Sequence, residues 1–361
     1  MIIKEKITAL QLFSILFISR ILVSLTYVPA LSSGSFSTDL FLTVPLSFLI
    51  MTIMFIPMYI LLKKHKGQSV LDCAEDISSV FVKIIAVLFL LFFVYNGASA
   101  ISRFTIFVTS SLQPRMPAAT LAVSIVLVSC YIAWLGIEPL GRFSAIMVSI
   151  MCIGVLIIFT GVMPKMSALN FEPILYRGYG DFWDNVLSTI SQTVEIAALA
   201  ILAPMAGGKV RKGFFLWLTG LSIFMMTIAF SVIGVLGNFS ESQLFPVYIT
   251  TVLSEFSVIK RLCALQTAIW LSGVIIKVSY LCILSDTCFS KLAKQKKGRN
   301  LFFPLSGVII IILSLVFSKN FQIYTQVSSA FIGFIFNILL IIIIPIIILI
   351  CKKIKGRKQK V

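Results

Sequence analysis

Ten apolar runs, each long enough or nearly long enough to cross a bilayer, dominate this chain. They fall at about 7–28, 39–62, 84–102, 117–135, 143–164, 185–208, 214–236, 262–285, 301–317 and 330–351. A helix rises about 1.5 Å per residue, so roughly 20 apolar residues span the hydrocarbon layer. The run from 301 is short for a span. Only 12% of the 361 residues are charged and 59% are hydrophobic, where a water-soluble domain carries about a quarter charged. Backbone polar groups in lipid must be satisfied within the segment, which leaves helices as the spanning element for runs of this length. The expected fold is an all-α polytopic membrane protein with ten transmembrane helices.

The net charge of +17 is distributed as membrane orientation requires, not as a nucleic-acid surface. With the N-terminus placed in the cytoplasm, 21 of the Lys and Arg residues fall in cytoplasmic loops and tails and 7 on the opposite side, counting Arg103 among the latter. That asymmetry predicts both termini inside. The first run is longer than a signal-peptide core and reads as a retained helix. Most of the seven cysteines lie in apolar runs, no CxxC pair occurs, and the single histidine, His65, sits in a KKHK loop. This pattern gives no sign of a disulfide framework, a metal site or a cofactor, and no nucleophile–base pair points to an enzyme.

The run from Asn185 to Gly208 carries the most information. Glu195 lies near its middle, with Gln192 and Thr193 within a turn. A carboxyl at that depth costs a few kcal/mol or more unless it faces a partner or a cavity. It is either a satisfied structural group or part of a solute or proton site. Arg20 lies at a matching depth in the first run, Lys277 lies in the eighth, and Tyr95, Asn96 and Ser99 lie in the third. The expected site is therefore Arg20, Ser24, Asn96, Gln192, Thr193, Glu195 and Lys277. Arg20 is expected to pair with Glu195, and Lys277 either reaches Glu195 or snorkels to the surface. One acid and two bases leave a positive excess, which favours a ligand with an anionic group. No glycine or proline falls at mid-span in the first or sixth run to mark a helix break.

Two loops have helical pattern. Ser69–Phe81 places Val70, Ala74, Ile77 and Phe81 on one face, with Ser69 and Asp72 as a capping pair. Phe245–Phe256 places Phe245, Tyr248, Ile249, Val252, Leu253 and Phe256 on one face, with Pro246 in its first turn. The first follows the second span and the second follows the seventh, on opposite sides. The chain thus divides into repeat one, about 7–164, and repeat two, about 185–351, followed by a basic tail at 352–361. This layout reads as two inverted repeats, as in transporters that bind solute at mid-membrane; the alternative is two unrelated interfacial helices.

Three motifs carry a resemblance: GIEPLGRF at 136–143, NFEPILYRG at 170–178, and FPVYITTVLSEFSVIKRLCALQTAIWLSGVIIKVS at 245–279. With the ten-run layout, the chain resembles the B subunit of bacterial spore germinant receptors, the permease-like membrane subunit within the amino acid–polyamine–organocation group. The resemblance implies a LeuT-type inverted repeat of five plus five helices, residence in the spore inner membrane, and assembly with an A and a C subunit. It also implies sensing of a small-molecule germinant, commonly an amino acid. The chain departs from the family pattern at Arg20, where small residues are usual, and at Cys263, where an acidic residue is frequent. A free-standing ion-coupled permease and a scaffold that binds no ligand are the competing functions.

Overall fold

The computed structural model describes residues 7–25, 40–172, 178–254, 262–293 and 303–358. In chain order the helices are α1 (Ala9–Leu25), α2 (Leu40–Met54), α3 (Ile56–Lys64), α4 (Val70–Glu75), α5 (Ser79–Phe107), α6 (Ala118–Leu135), α7 (Ile137–Val162) and α8 (Gly178–Ser191). They continue with α9 (Glu195–Leu202), α10 (Val210–Leu236), α11 (Pro246–Leu253), α12 (Leu262–Leu292), α13 (Phe303–Lys319), α14 (Phe321–Val327), α15 (Ala330–Ile338) and α16 (Ile344–Lys358). Among the described residues, eight helical segments are long and apolar enough to cross a membrane, and two shorter apolar helices, Ala9–Leu25 and Phe303–Lys319, accompany them. The protein is an all-α polytopic membrane protein.

The sequence expectations need adjusting at several boundaries. The third run was expected to end at residue 102. Helix α5 instead begins at Ser79 and runs to Phe107, and a π-helical turn, Val108–Leu112, extends it. Arg103 therefore lies inside a span and is buried. The reason is visible in the chain, since Phe104, Ile106, Phe107 and Val108 continue the apolar run beyond the charge. The helical loop at 69–81 is divided. The capping box of Ser69 and Asp72 is present, but Ile77 lies between the two helices and Phe81 belongs to α5. GIEPLGRF opens α7 instead of preceding it. Gly136, at φ +104°, makes the sharp turn between α6 and α7 that a side chain would strain. Residues 26–28, Glu255 and Phe256, residues 173–177 of the second motif, and 359–361 of the tail lie outside the described residues.

Close packing sets the helix positions. Little hydrophobic force acts between helices inside lipid, so approach depends on small residues and van der Waals contact. Gly307 meets Cys130 and Val126, and Gly97 meets Ile310, which brings α13 against α6 and α5. The ring of Trp270 on α12 stacks on Phe107 at 4.1 Å and meets Phe104 edge-on at 5.6 Å. A two-residue parallel pairing, β1 (Ile7–Thr8) with β2 (Ala206–Gly207), ties the start of α1 to the turn after α9. The start of α1, the end of α9 and the start of α10 therefore share one end of the bundle.

That end is also the lysine-rich one, and α4 fastens it. Lys291 at the end of α12 donates to Asp72 Oδ1 at 2.8 Å and to Glu75, while Lys352 of α16 donates to Asp76 Oδ2 at 2.9 Å. Burial raises the Asp72 carboxyl, but hydrogen bonds from Lys291 and Ser69 outweigh it and hold it well below the usual carboxylate range. The hydrogen bond from Lys352 likewise lowers Asp76.

Candidate functional site

The run 185–208 is not one continuous helix. Helix α8 stops at Ser191 and α9 starts at Glu195. The local sequence, Ser188-Thr189-Ile190-Ser191-Gln192-Thr193, supplies side chains that compete with the helical ladder. Ser191 Oγ donates to Ser188 O at 2.9 Å, Thr193 Oγ1 to Thr189 O at 3.0 Å, and Gln192 Nε2 to Ser188 Oγ at 3.1 Å. A break inside the membrane leaves carbonyls that water cannot satisfy. Asn337 of α15 meets this need, its Nδ2 donating to Ile190 O at 3.2 Å and Ser191 O at 3.1 Å. Arg20 of α1 donates through Nη2 to Thr189 O at 3.1 Å. Gly333 lets α15 come this close, because an added Cβ would lie 2.9 Å from Ser191 O and Ser191 Cβ.

The break also orders the charges. The C-terminal end of α8 is the negative end of its dipole and faces Arg20. Glu195 sits in the first turn of α9, the positive end. Glu195 is fully buried. Its Oε1 accepts from Lys277 Nζ of α12 at 3.3 Å and from Ser19 Oγ of α1. Ser19 has a single proton, which it gives to Glu195, so Tyr280 donates to Ser19 Oγ at 2.9 Å. Lys277 also donates to Ser19 O at 3.3 Å. Three helices, α1, α9 and α12, thus converge on one carboxylate.

Two small cavities flank Val23 and Gln192. The first, about 40 Å³, is lined by Tyr95, Asn96, Ser99, Arg103, Gln192 and Lys277, with Ser328, Ser329 and Gly333 closing it. Arg103 donates through Nε to Tyr324 Oη at 2.7 Å and through Nη1 to Gln192 Oε1 at 3.1 Å. Tyr324 Oη also lies 2.6 Å from Ser99 Oγ. The second cavity, about 60 Å³, is lined by Arg20, Ser24, Ser188, Thr189 and Gln192 with apolar neighbours. Arg20 Nε, Arg20 Nη1 and Ser24 Oγ are buried there with no hydrogen-bond partner among the described residues. Neither cavity is lined by a carboxylate, and together they face three cations, Arg20, Arg103 and Lys277.

The expected site residues separate into three groups. Asn96, Gln192 and Lys277 line the first cavity, although Asn96 Nδ2 is held by Phe92 O at 2.9 Å. Arg20, Ser24 and Gln192 line the second. Glu195 lies behind Lys277 and lines neither. Thr193 faces away from both, with its hydroxyl on Thr189 O and 3.7 Å from Met51 Sδ. The expected Arg20–Glu195 pair is absent, because Arg20 caps the break instead and Lys277 holds Glu195. Sequence reasoning missed Arg103, Tyr324, Asn337, Ser19 and Tyr280. For Arg103 a signal existed, since Tyr95, Ser99 and Arg103 recur at four-residue spacing and so share one helix face.

Comparison with known proteins adds to this geometry. The spore permease family model, described as spore germination protein, matches residues 6–322. A Bacillus subtilis (strain 168) protein carrying the name spore germination protein YfkT is 24% identical over 228 residues. That similarity covers 62% of this chain and 62% of the relative, so the matched region falls short of two thirds of the relative's length.

Proposed function

This chain belongs to the spore germination protein family, and from that premise we propose that it is the membrane subunit of a spore germinant receptor. A small germinant, an amino acid in our reading, is held where the sixth segment breaks. The observation that carries the proposal is the polar cavity at Gln192, faced by Arg103 and Lys277 and free of lining carboxylates. A planar guanidinium suits a carboxylate, and half-helix ends at mid-membrane are where inverted-repeat carriers hold solute. At about 40 Å³ the cavity holds on the order of one or two waters. An amino acid enters only after α14 and α15 part from α5.

In this reading all ten apolar helices span, in two inverted repeats of five with α4 and α11 in matching places. Arg103 leaves the outer tally, which makes the charge asymmetry steeper and favours both termini in the cytoplasm. The family membership supports residence in the spore inner membrane and assembly with A and C subunits. The chain senses ligand and performs no covalent chemistry. A screen of spores lacking this chain against single amino acids, sugars and salts tests the proposal. Loss of the response to one amino acid alone supports it, and unchanged responses to all of them refute it.

The Glu195–Lys277 pair favours a second reading, an ion-coupled permease. A buried carboxylate and ammonium behind a solute cavity are what a proton-coupled carrier uses. Uptake of labelled amino acid by the full chain in proteoliposomes, driven by a pH gradient, separates the two readings.

A further inference from the structure

A cavity much larger than the two at the helix break lies away from them. It is a cleft of about 590 Å³ at the lysine-rich end of the bundle. Its floor is apolar, with Phe13 of α1, Phe55 between α2 and α3, Leu199 of α9 and Phe214 of α10. The rings of Phe55 and Phe214 stack at 4.6 Å. Ile56 and Phe215, 49% and 51% exposed, stand on its open side, as side chains that face acyl chains do. Its polar edge carries Lys63, Lys66 and Arg211, and no aspartate or glutamate lines it. All three cations are exposed, and none forms an ion pair or hydrogen bond with another described residue. The other acid–base pairs of this end, Asp72 and Glu75 with Lys291 and Asp76 with Lys352, are satisfied elsewhere. A greasy slot with unsatisfied cations at the membrane surface is complementary to one kind of molecule, an acyl chain ending in a phosphate.

We propose that this cleft binds an anionic phospholipid of the adjoining leaflet, with an acyl chain on the Phe13, Phe55, Leu199 and Phe214 floor and the phosphate between Lys63, Lys66 and Arg211. A basic residue near an anionic lipid surface is worth about fivefold in affinity. Three of them give a preference of roughly a hundredfold for an anionic over a zwitterionic headgroup. The cleft touches α9 and the β1–β2 pairing that joins α1 to it, so an occupant presses on the lower half of the broken segment.

The test uses the full chain, purified in detergent, with retained lipid counted by native mass spectrometry. Phosphatidylglycerol and phosphatidylcholine of identical acyl chains are added in separate arms, with inorganic phosphate as a third arm. The expected result is a tightly retained phosphatidylglycerol, little phosphatidylcholine and no effect of phosphate. The triple variant Lys63→Gln, Lys66→Gln, Arg211→Gln is expected to lose the preference. The control Lys64→Gln, Lys209→Gln, Lys212→Gln removes equal charge at the same end outside the cleft and is expected to keep it. All six positions are exposed, so the fold tolerates both sets. Equal retention of the two lipids by the unsubstituted chain would hand the cleft to another occupant, such as an acidic peptide, and overturn the proposal. Equal loss in both variants would reduce the effect to diffuse surface charge and overturn it as well. Binding of inorganic phosphate alone would make it an ion site instead of a lipid site.

Discussion

Replacing Lys277 by methionine isolates the electrostatics at the helix break. Lys277 Nζ lies 3.3 Å from Glu195 Oε1, with side-chain exposures of 3% and 0%. At an effective dielectric near 20, opposite charges at that distance gain about 5 kcal/mol. Methionine keeps the length and apolar stem of lysine, so the packing change is small. What remains is a carboxylate with Ser19 as its partner and its other oxygen, Oε2, already without one. Removing one member of a buried pair typically costs about 3–5 kcal/mol. In a chain of this size each kcal/mol lowers the unfolding midpoint by about 1.3 °C, so Lys277→Met should melt about 4–7 °C lower in detergent. The double variant Lys277→Met, Glu195→Gln removes both charges and should recover most of that loss. The assay is thermal unfolding followed by size-exclusion fluorescence. A single variant that melts within 2 °C of the parent, or a double variant no better than the single, would refute the view that the pair is a mutually neutralised unit.

Three further outcomes follow from named contacts. Asn337→Leu strips the donors from Ile190 O and Ser191 O and should cost about 1–3 kcal/mol, while Gly333→Val should lower accumulation sharply, because its Cβ would lie 2.9 Å from Ser191 O and its branched methyls would crowd the break further; expression and melting curves check both. The exposed Glu138–Arg142 pair, 2.5 Å apart one helical turn from each other, should contribute at most about 0.5 kcal/mol, so Arg142→Ala should leave the melting midpoint unchanged within error. Asp72 and Asp76 are both depressed in the fold, so their stabilisation is complete above the ordinary carboxylate value near 4 and is lost as pH falls through the folded values. Cross-linking between α4 and the ends of α12 and α16 should therefore be flat from about pH 5 to 8 and weaken only below about pH 4.

What could be read from the sequence depended on how local the cause was. Apolar runs and loop charges act within a segment or at its ends, so the all-α membrane character and the capping box at Ser69 were legible. The break at 192–194 was not. It lacks glycine and proline, and it persists because Asn337 and Arg20, from helices far along the chain, satisfy its carbonyls. Arg103 was lost for a different reason, since a charge at the edge of an apolar run looks like a loop residue until the apolar side chains beyond it are counted. Glu195, Gln192 and Lys277 stood out in the sequence because charge or amide at mid-membrane is rare. Of the two partners expected for Glu195, Lys277 reaches it and Arg20 does not, since equal depth does not say which helix faces which. Arg20 and Lys277 both lie at the right level, and only the packing of α12 against α1 gives Glu195 to Lys277.

The most direct measurement is the germination dose–response of spores carrying Arg103→Gln, scored by loss of optical density across a range of amino-acid concentration, with protein level checked by immunoblot. Glutamine keeps a donor toward Tyr324 and Gln192 but removes the charge that faces the cavity. If a ligand carboxylate is held there, loss of a charge-assisted bond costs about 1.5–3 kcal/mol. The curve should then shift to about 10- to 100-fold higher amino-acid concentration at unchanged protein level. A curve superimposable on the parent's would contradict binding at the broken helix.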